Sequence, residues 1–294
     1  MEKIQQSAAE ESMEKRKRKE RTKRKKIWLI ALLLLLFVLL AAALDPRLRT
    51  VRYEMTSPKL SAPLRIAQLT DLHSCRYGRD MRNLIRAIEE AEPDLIVLTG
   101  DIYDDEMPED NADTLLAYLG GRFPCFYVTG NHENWTGDPE RLIQKVRGFG
   151  ITVLEGEWTA FEKEGARILV AGVNDPDAPG SYAEELDRAA EACDGGAFTV
   201  LLTHRPEGFG DCVRKGFDLI LAGHAHGGQW RIPFLVNGLF APGQGLFPKY
   251  AGGLYERDGA AMIVSRGLAR ESTPVVPRVF NRPELVIVEL IPEE

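Results

Sequence analysis

Ile27 to Leu44 constrains the fold of this chain more than any other stretch. It reads IWLIALLLLLFVLLAAAL, eighteen residues without a charge. At about 1.5 Å per residue, such a helix spans roughly 27 Å, enough for the hydrocarbon core of a bilayer. A helix that is apolar on every face does not suit the surface of a soluble domain. Residues 27–44 are therefore expected to form a transmembrane signal-anchor, with Trp28 at its interface. Ten Lys/Arg lie in residues 15–26, against Arg47, Arg49 and Arg52 just after the run. Positive charge stays on the cytoplasmic side, so the expectation is a single-pass cell-membrane protein with its N-terminus in the cytoplasm and its body outside. A cleaved signal peptide is the competing reading, because Ala41-Ala42-Ala43 resembles a cleavage site. The 26 residues before the run are long for such a peptide. Thr22 to Leu29 lacks the Arg-Arg pair of a twin-arginine signal.

The flanks divide the charge. The chain of 294 residues has a net charge of −7, but residues 1–26 hold eleven basic and five acidic residues, a tail of +6. The remainder carries −13. An acidic body has no basic face for a phosphate backbone, so no nucleic-acid partner is expected. The basic tail sets topology, and contact with anionic lipid is a further role open to it. Cys75, Cys125, Cys193 and Cys212 show no CxxC spacing, which speaks against a thiolate zinc site or a disulfide scaffold.

Beyond a tether and first strand at 45–62, one domain is expected at 63–294. Leu64–Leu69, Leu95–Leu98, Phe126–Val128, Ile168–Val170, Val200–Leu202 and Leu219–Leu221 are short apolar runs that read as buried strands. Met81–Ala91, Asp113–Leu119, Glu140–Val146 and Tyr182–Ala192 have helical periodicity. Asp80 and Asp138 are the expected N-caps, with Pro139 at the first helical position. This alternation predicts an α/β domain, followed by strands at Ala260–Ser265 and Leu285–Leu290.

All five histidines follow predicted strands. His73 comes after Leu64–Leu69, His132 after Phe126–Val128, His204 after Val200–Leu202, and His224 and His226 after Leu219–Leu221. Asp101 follows Leu95–Leu98 in the same way. The carboxyl ends of strands are where open α/β sheets build ligand sites. A single strand-end His or Asp is more often a turn residue, but so many together are not ordinary turns. His224 and His226 share a face if the backbone is extended, as do Asp71 and His73. Imidazole, carboxylate and an amide oxygen without thiolate suit Mn²⁺, with Fe and Zn²⁺ open. Asp71, His73, Asp101, Asn131, His204, His224 and His226 exceed what one tetrahedral ion needs. They fit two divalent metal ions sharing one carboxylate, an arrangement that clamps both oxygens of a phosphoryl transfer.

In order, the chain contains Asp71-Leu72-His73, Gly100-Asp101-Ile102-Tyr103-Asp104, Gly130-Asn131-His132-Glu133, Thr203-His204 and Gly223-His224-Ala225-His226. These blocks resemble the five-block signature of calcineurin-like metallophosphoesterases. Thr70-Asp71-Leu72-His73, His226-Gly227-Gly228-Gln229, Gly253-Leu254-Tyr255, Ser265-Arg266-Gly267-Leu268 and Arg282-Pro283-Glu284-Leu285 resemble its bacterial membrane-anchored YaeI/YkuE-like branch. Ala269-Arg270-Glu271-Ser272 departs from the glycine-containing turn of that branch. The resemblance implies a four-layer αββα sandwich. It implies one metal held by Asp71, His73, Asp101 and His226, and another held by Asp101, Asn131, His204 and His224. It also implies that His132 protonates the leaving oxygen and that Asp104 orients His132. The implied reaction is hydrolysis of phosphate mono- or diesters by in-line attack of a metal-bound hydroxide.

Membrane tethering adds a lipid-linked pyrophosphate to the candidate substrates. Phe234-Leu235, Leu239-Phe240, Leu246-Phe247 and Tyr250 read either as a lipid-facing rim or as a satellite core under a long loop. The rival class is a non-catalytic, membrane-tethered metal- or partner-binding module, for which a leaving-group acid would be superfluous.

Overall fold

A computed structural model describes residues 2–270 and 276–293, with side chains from residue 13. The chain forms two compact units, Met1–Asp45 and Pro46–Glu294. In the first, the basic tail and the apolar run make one continuous helix, α1 (Glu2–Ala43). Among the described residues this is the one helix long and apolar enough to cross a membrane.

The second unit begins with β1 (Arg49–Ser57), β2 (Leu64–Leu69), α2 (Arg82–Ala91), β3 (Leu95–Thr99), α3 (Asp110–Gly120), β4 (Cys125–Val128), α4 (Asn131–Trp135), α5 (Pro139–Gly148) and β5 (Thr152–Val153). It continues with β6 (Trp158–Lys163), β7 (Ala166–Gly172), α6 (Tyr182–Ala189), β8 (Phe198–Leu202), α7 (Phe209–Lys215) and β9 (Leu219–Ala222). Two short strands follow, β10 (Phe240–Ala241) and β11 (Gly245–Leu246), and then β12 (Gly253–Arg257), β13 (Ala260–Val264) and β14 (Glu284–Pro292). One six-stranded sheet has the order β1-β14-β2-β3-β4-β5, and the other β12-β13-β9-β8-β7-β6. Neighbours β2, β3, β4 and β5 run parallel, as do β7, β8, β9 and β13.

Period-two alternation explains the layers. Ile66, Val97 and Val128 face Val170, Val200 and Leu221 in an apolar layer between the sheets. The intervening Ala67, Leu69, Ile96 and Leu98 meet Leu84, Ile88, Leu115 and Leu119 of α2 and α3. On the far side, Leu201, Ile220 and Met262 meet Leu186, Phe209 and Cys212 of α6 and α7. Helix, sheet, sheet and helix give the four-layer sandwich. Gln68 ties the two sheets beneath the site, donating to Thr99 Oγ1 at 3.1 Å in one and to the Ala222 carbonyl at 2.9 Å in the other.

The capping expectations divide. Asp138 caps α5, accepting from the Arg141 N–H at 3.2 Å, with Pro139 in the first turn. Asp80 caps nothing: it lies in a short 3-10 turn with φ 53°, and Met81 precedes α2 in a left-handed conformation. A kinked entry replaces the expected cap. No disulfide joins the four cysteines among the described residues. Of the departing turn, Arg270 donates its N–H to Cys75 Sγ at 3.3 Å, while Glu271 and Ser272 lie outside the described residues.

Candidate metal centre

The loops after β2, β3 and β4 in one sheet and after β8 and β9 in the other converge at the strands' carboxyl ends. Asp71 and His73, Asp101, Asn131, His204, and His224 with His226 are all buried there. Possible ligand atoms of Asp71, His73 and His226 lie within 4.8 Å of one another, and so do those of Asp101, His204 and His224. Asp101 lies between the groups: its Oδ2 is 3.6 Å from His73 Nε2 and 3.1 Å from His204 Nε2.

Backbone geometry does this differently from the sequence expectation. Asp71, His73, Asp101, His224 and His226 all have φ between 47° and 64°, and Ala225 has φ −77°. The i, i+2 pairs therefore do not share the face of an extended strand. They are brought together by alternating left-handed residues, each costing about 1–3 kcal/mol of strain. The surroundings hold that strain. The Asp71 N–H donates to the Gly100 carbonyl, His73 to Asp101 and Ser74 to Ile102, at 2.9–3.0 Å. Gly130 crosses so close that a Cβ there would lie 2.2 Å from Asp101 Oδ1. Any side chain at 130 would displace the Asp101 carboxylate.

Glu133 is the anchor that sequence reasoning missed. Its fully buried carboxylate accepts from the N–H groups of Asp101, Ile102, Tyr103 and Gly130 and from the Tyr127 hydroxyl, at 2.7–3.0 Å. Burial and the nearby Asp101 charge push its carboxyl up, and the donors oppose that shift. Its signal was present in Gly130-Asn131-His132-Glu133, an acid three residues after a helix cap.

Second hydrogen bonds orient the imidazoles. His73 Nδ1 meets Asp104 Oδ2 at 2.9 Å, and His204 Nδ1 meets the Thr99 carbonyl at 2.8 Å. Donation from Nδ1 leaves Nε2 of each neutral ring free as a ligand. The expected Asp104–His132 hydrogen bond is displaced. Asp105 Oδ1 sits 2.6 Å from His132 Nδ1, and Asp104 Oδ2 stands off at 3.5 Å. Asp104 is turned toward His73, with its other oxygen accepting from the Glu106 and Met107 N–H groups.

The donor set fits divalent cations. His73 Nε2, Asn131 Oδ1 and His224 Nε2 are buried without any hydrogen bond, and such orphans otherwise cost free energy. His224 Nδ1 and His204 Nε2 lie 3.1 Å apart, a contact that needs a proton or a cation between them. Burial disfavours charge on His204, yet Asp101 and Asp71 push it up to about 10. Burial and then His204 hold His224 down at about 2. Burial, with His73 beside it, lowers His226 as well. Burial would raise Asp101, but His204 and His73 hold it well below the carboxylate range. Protonated His204 thus does part of what a metal cation does in this cluster.

A cavity of about 770 Å³ opens above these groups. Asp101, Asn131, His132 and His224 form its floor, and Trp135, Trp230, Leu239, Phe240, Pro242 and Val276 form an apolar wall. The His132 and Trp135 rings lie 4.7 Å apart. Phe240 in the wall and Phe234, Leu235, Leu246 and Phe247 beyond it are exposed, and of this segment's named residues Tyr250 joins a buried cluster. Most of this segment is therefore a rim, and the satellite-core reading holds for Tyr250.

Residues 64–228 match the calcineurin-like phosphoesterase family. The chain belongs to that family and is a metal-dependent hydrolase of phosphoester bonds. The metallophosphoesterase YkuE of Bacillus subtilis is 30% identical over 243 residues, covering 77% of this chain and 78% of that protein. The phosphodiesterase YaeI of Escherichia coli is 29% identical, covering 79% and 83%. A Bos taurus transmembrane protein with a metallophosphoesterase domain is 29% identical over 84% of this chain, and the match spans 57% of its own length.

Proposed function

We propose that the chain is a membrane-anchored phosphomono- or diesterase whose substrate carries an apolar group, as a lipid-linked phosphoester or pyrophosphate does. The observation that carries this reading is the joining of a floor of orphaned ligand atoms to an apolar wall in one cavity. Asp71, His73, Asp101 and His226 would hold one ion, and Asp101, Asn131, His204 and His224 the other, with Mn²⁺ favoured by the oxygen and imidazole donors. Such ions supply Lewis acidity toward the phosphoryl oxygens and a nucleophile at neutral pH. The residues do the rest. Asp101 ties the two ligand groups together. His132, held by Asp105 through Nδ1, presents Nε2 to the leaving oxygen and donates a proton there. Trp135 and Trp230 exclude water and orient the apolar part of the substrate.

We further propose that α1 spans the membrane uncleaved and that the catalytic unit is extracytoplasmic, on the charge asymmetry around residues 27–44. The test is a panel of mono-, di- and pyrophosphate esters, water-soluble and lipid-linked, assayed with added Mn²⁺, Fe²⁺ or Zn²⁺. Preference for a lipid-linked ester over its short-chain analogue is expected. Equal kcat/KM for the two would remove the apolar-substrate reading.

A further inference from the structure

A second cavity, of about 490 Å³, lies apart from the metal centre. Arg49, Arg231 and Arg266 line it, together with Ile232, Phe234, Leu235 and Phe280, and no acidic residue does so among the described residues. One buried carboxylate, Glu284, serves two of the three cations. It accepts from Arg49 Nη2 at 2.9 Å and stands 3.6 Å from Arg266 Nε, which makes no hydrogen bond. Arg231 donates only to neutral acceptors, Asn237 Oδ1 and the Gly227 carbonyl. Burial first, and then the Arg266 and Arg49 guanidinium groups, lower Arg231 to about 10, against the opposing pull of Glu284. A guanidinium without a carboxylate partner, in a half-buried pocket, suits phosphate.

The rim of this pocket is the tip of a tight loop closed by the Ile232–Val236 bridge. There Phe234 is fully exposed and Leu235 is 82% exposed. Exposed Phe and Leu beside a basic pocket have the chemistry of an interfacial contact, with apolar tips below and cations at the headgroups. The sequence adds a constraint. Arg49 follows Ala43 by six residues, at most about 21 Å of extended chain.

We propose that the Arg49–Arg231–Arg266 pocket seats the phosphate of an anionic phospholipid while Phe234 and Leu235 enter the acyl region. This rests on the membrane-anchored reading above.

The test uses the full chain in neutral maltoside micelles, titrated with dioctanoyl phosphatidylglycerol, dioctanoyl phosphatidylcholine or inorganic phosphate and followed by native mass spectrometry. Phosphatidylglycerol is expected to bind at least tenfold more tightly than phosphatidylcholine. Arg231→Gln should erase that preference. The double variant Phe234→Ser, Leu235→Ser should weaken phosphatidylglycerol about fivefold and leave inorganic phosphate unaffected. Phosphate held at the metal centre is common to all variants and cancels in the comparison. If Arg231→Gln does not fold, the double variant on the exposed tip decides. Equal binding of the two lipids, or a preference that survives Arg231→Gln, would overturn the proposal. Inorganic phosphate binding as tightly as the lipid, with no effect of the tip variant, would make this a free-anion site. Alkaline carbonate extraction of the full chain from membranes tests the anchor separately, so a failed lipid titration with an unextractable chain sinks only the pocket.

Discussion

The floor and the wall of the catalytic cavity are built on opposite principles. The floor, taken with the ligand groups beneath it, comes from five strand ends of two sheets, is buried apart from the partly exposed His132, and holds left-handed residues in place with a dense set of hydrogen bonds. Apart from Trp135 at the end of α4, the wall comes from segments with little regular structure, including two-residue strands, and it exposes Trp135, Trp230 and Phe240. The contrast teaches that chemistry is assigned to the rigid part, where sub-ångström placement matters. Under the proposed function, recognition falls to the wall.

That contrast can be broken by substitution. Asp101→Asn should have the largest effect, a fall of about 10⁴-fold in kcat with both metals weakened together. Metal analysis showing a full complement in that variant would refute the shared role. His132→Ala should keep its metals and lose about 10³-fold in rate. If metal is lost instead, His132 is a ligand. Glu133→Gln turns an amide toward N–H donors that need an acceptor, and should cost about 3 kcal/mol. Unchanged thermal unfolding would mean that Glu133 does not hold the floor.

Protons offer a gentler probe. His204 has a folded pKa of about 10, above its ordinary 6.5, so in the metal-free protein its stabilising charge is fully present below 6.5 and lost as pH rises through 10. A metal must displace that proton. Affinity should therefore rise about tenfold per pH unit between 7 and 9, measured by calorimetry in buffers of different ionisation heat. No proton release would show that another cation arrangement satisfies Asp101. The smallest effect belongs to the wall. Trp230→Ala should lower turnover of an amphiphilic ester about fivefold and of a small soluble ester by less than about twofold. Equal losses on both substrates would show that the wall also shapes the floor.

Much of the floor was legible in the sequence, because apolar runs of three to six residues followed closely by His, Asp or Asn announce both a buried strand and what it delivers. The same alternation made the layers readable. The partner of His132 was not legible. Asp104 and Asp105 are adjacent acids, and only the turn that commits Asp104 to the Glu106 and Met107 amides decides between them. Glu133 was hidden for a related reason, since its work is done on backbone groups 30–32 residues away. Nor did residue spacing reveal the left-handed ligands, because the same i, i+2 pattern serves an extended strand and a left-handed turn.

β14 has a consequence for the order of events in biosynthesis. It lies between β1 and β2, pairing Arg49 with Glu284 and Gln68 with Val286. The loop bearing Asp71 and His73 therefore waits for a strand translated more than two hundred residues later. At about 5–20 residues per second this is a delay of some ten to forty seconds. For a chain whose N-terminal helix inserts first, that interval is spent tethered and incomplete, with the edge of β2 that β14 pairs left open. A chaperone that shields nascent β2 would be timed by residue 292 rather than by the metal ligands themselves.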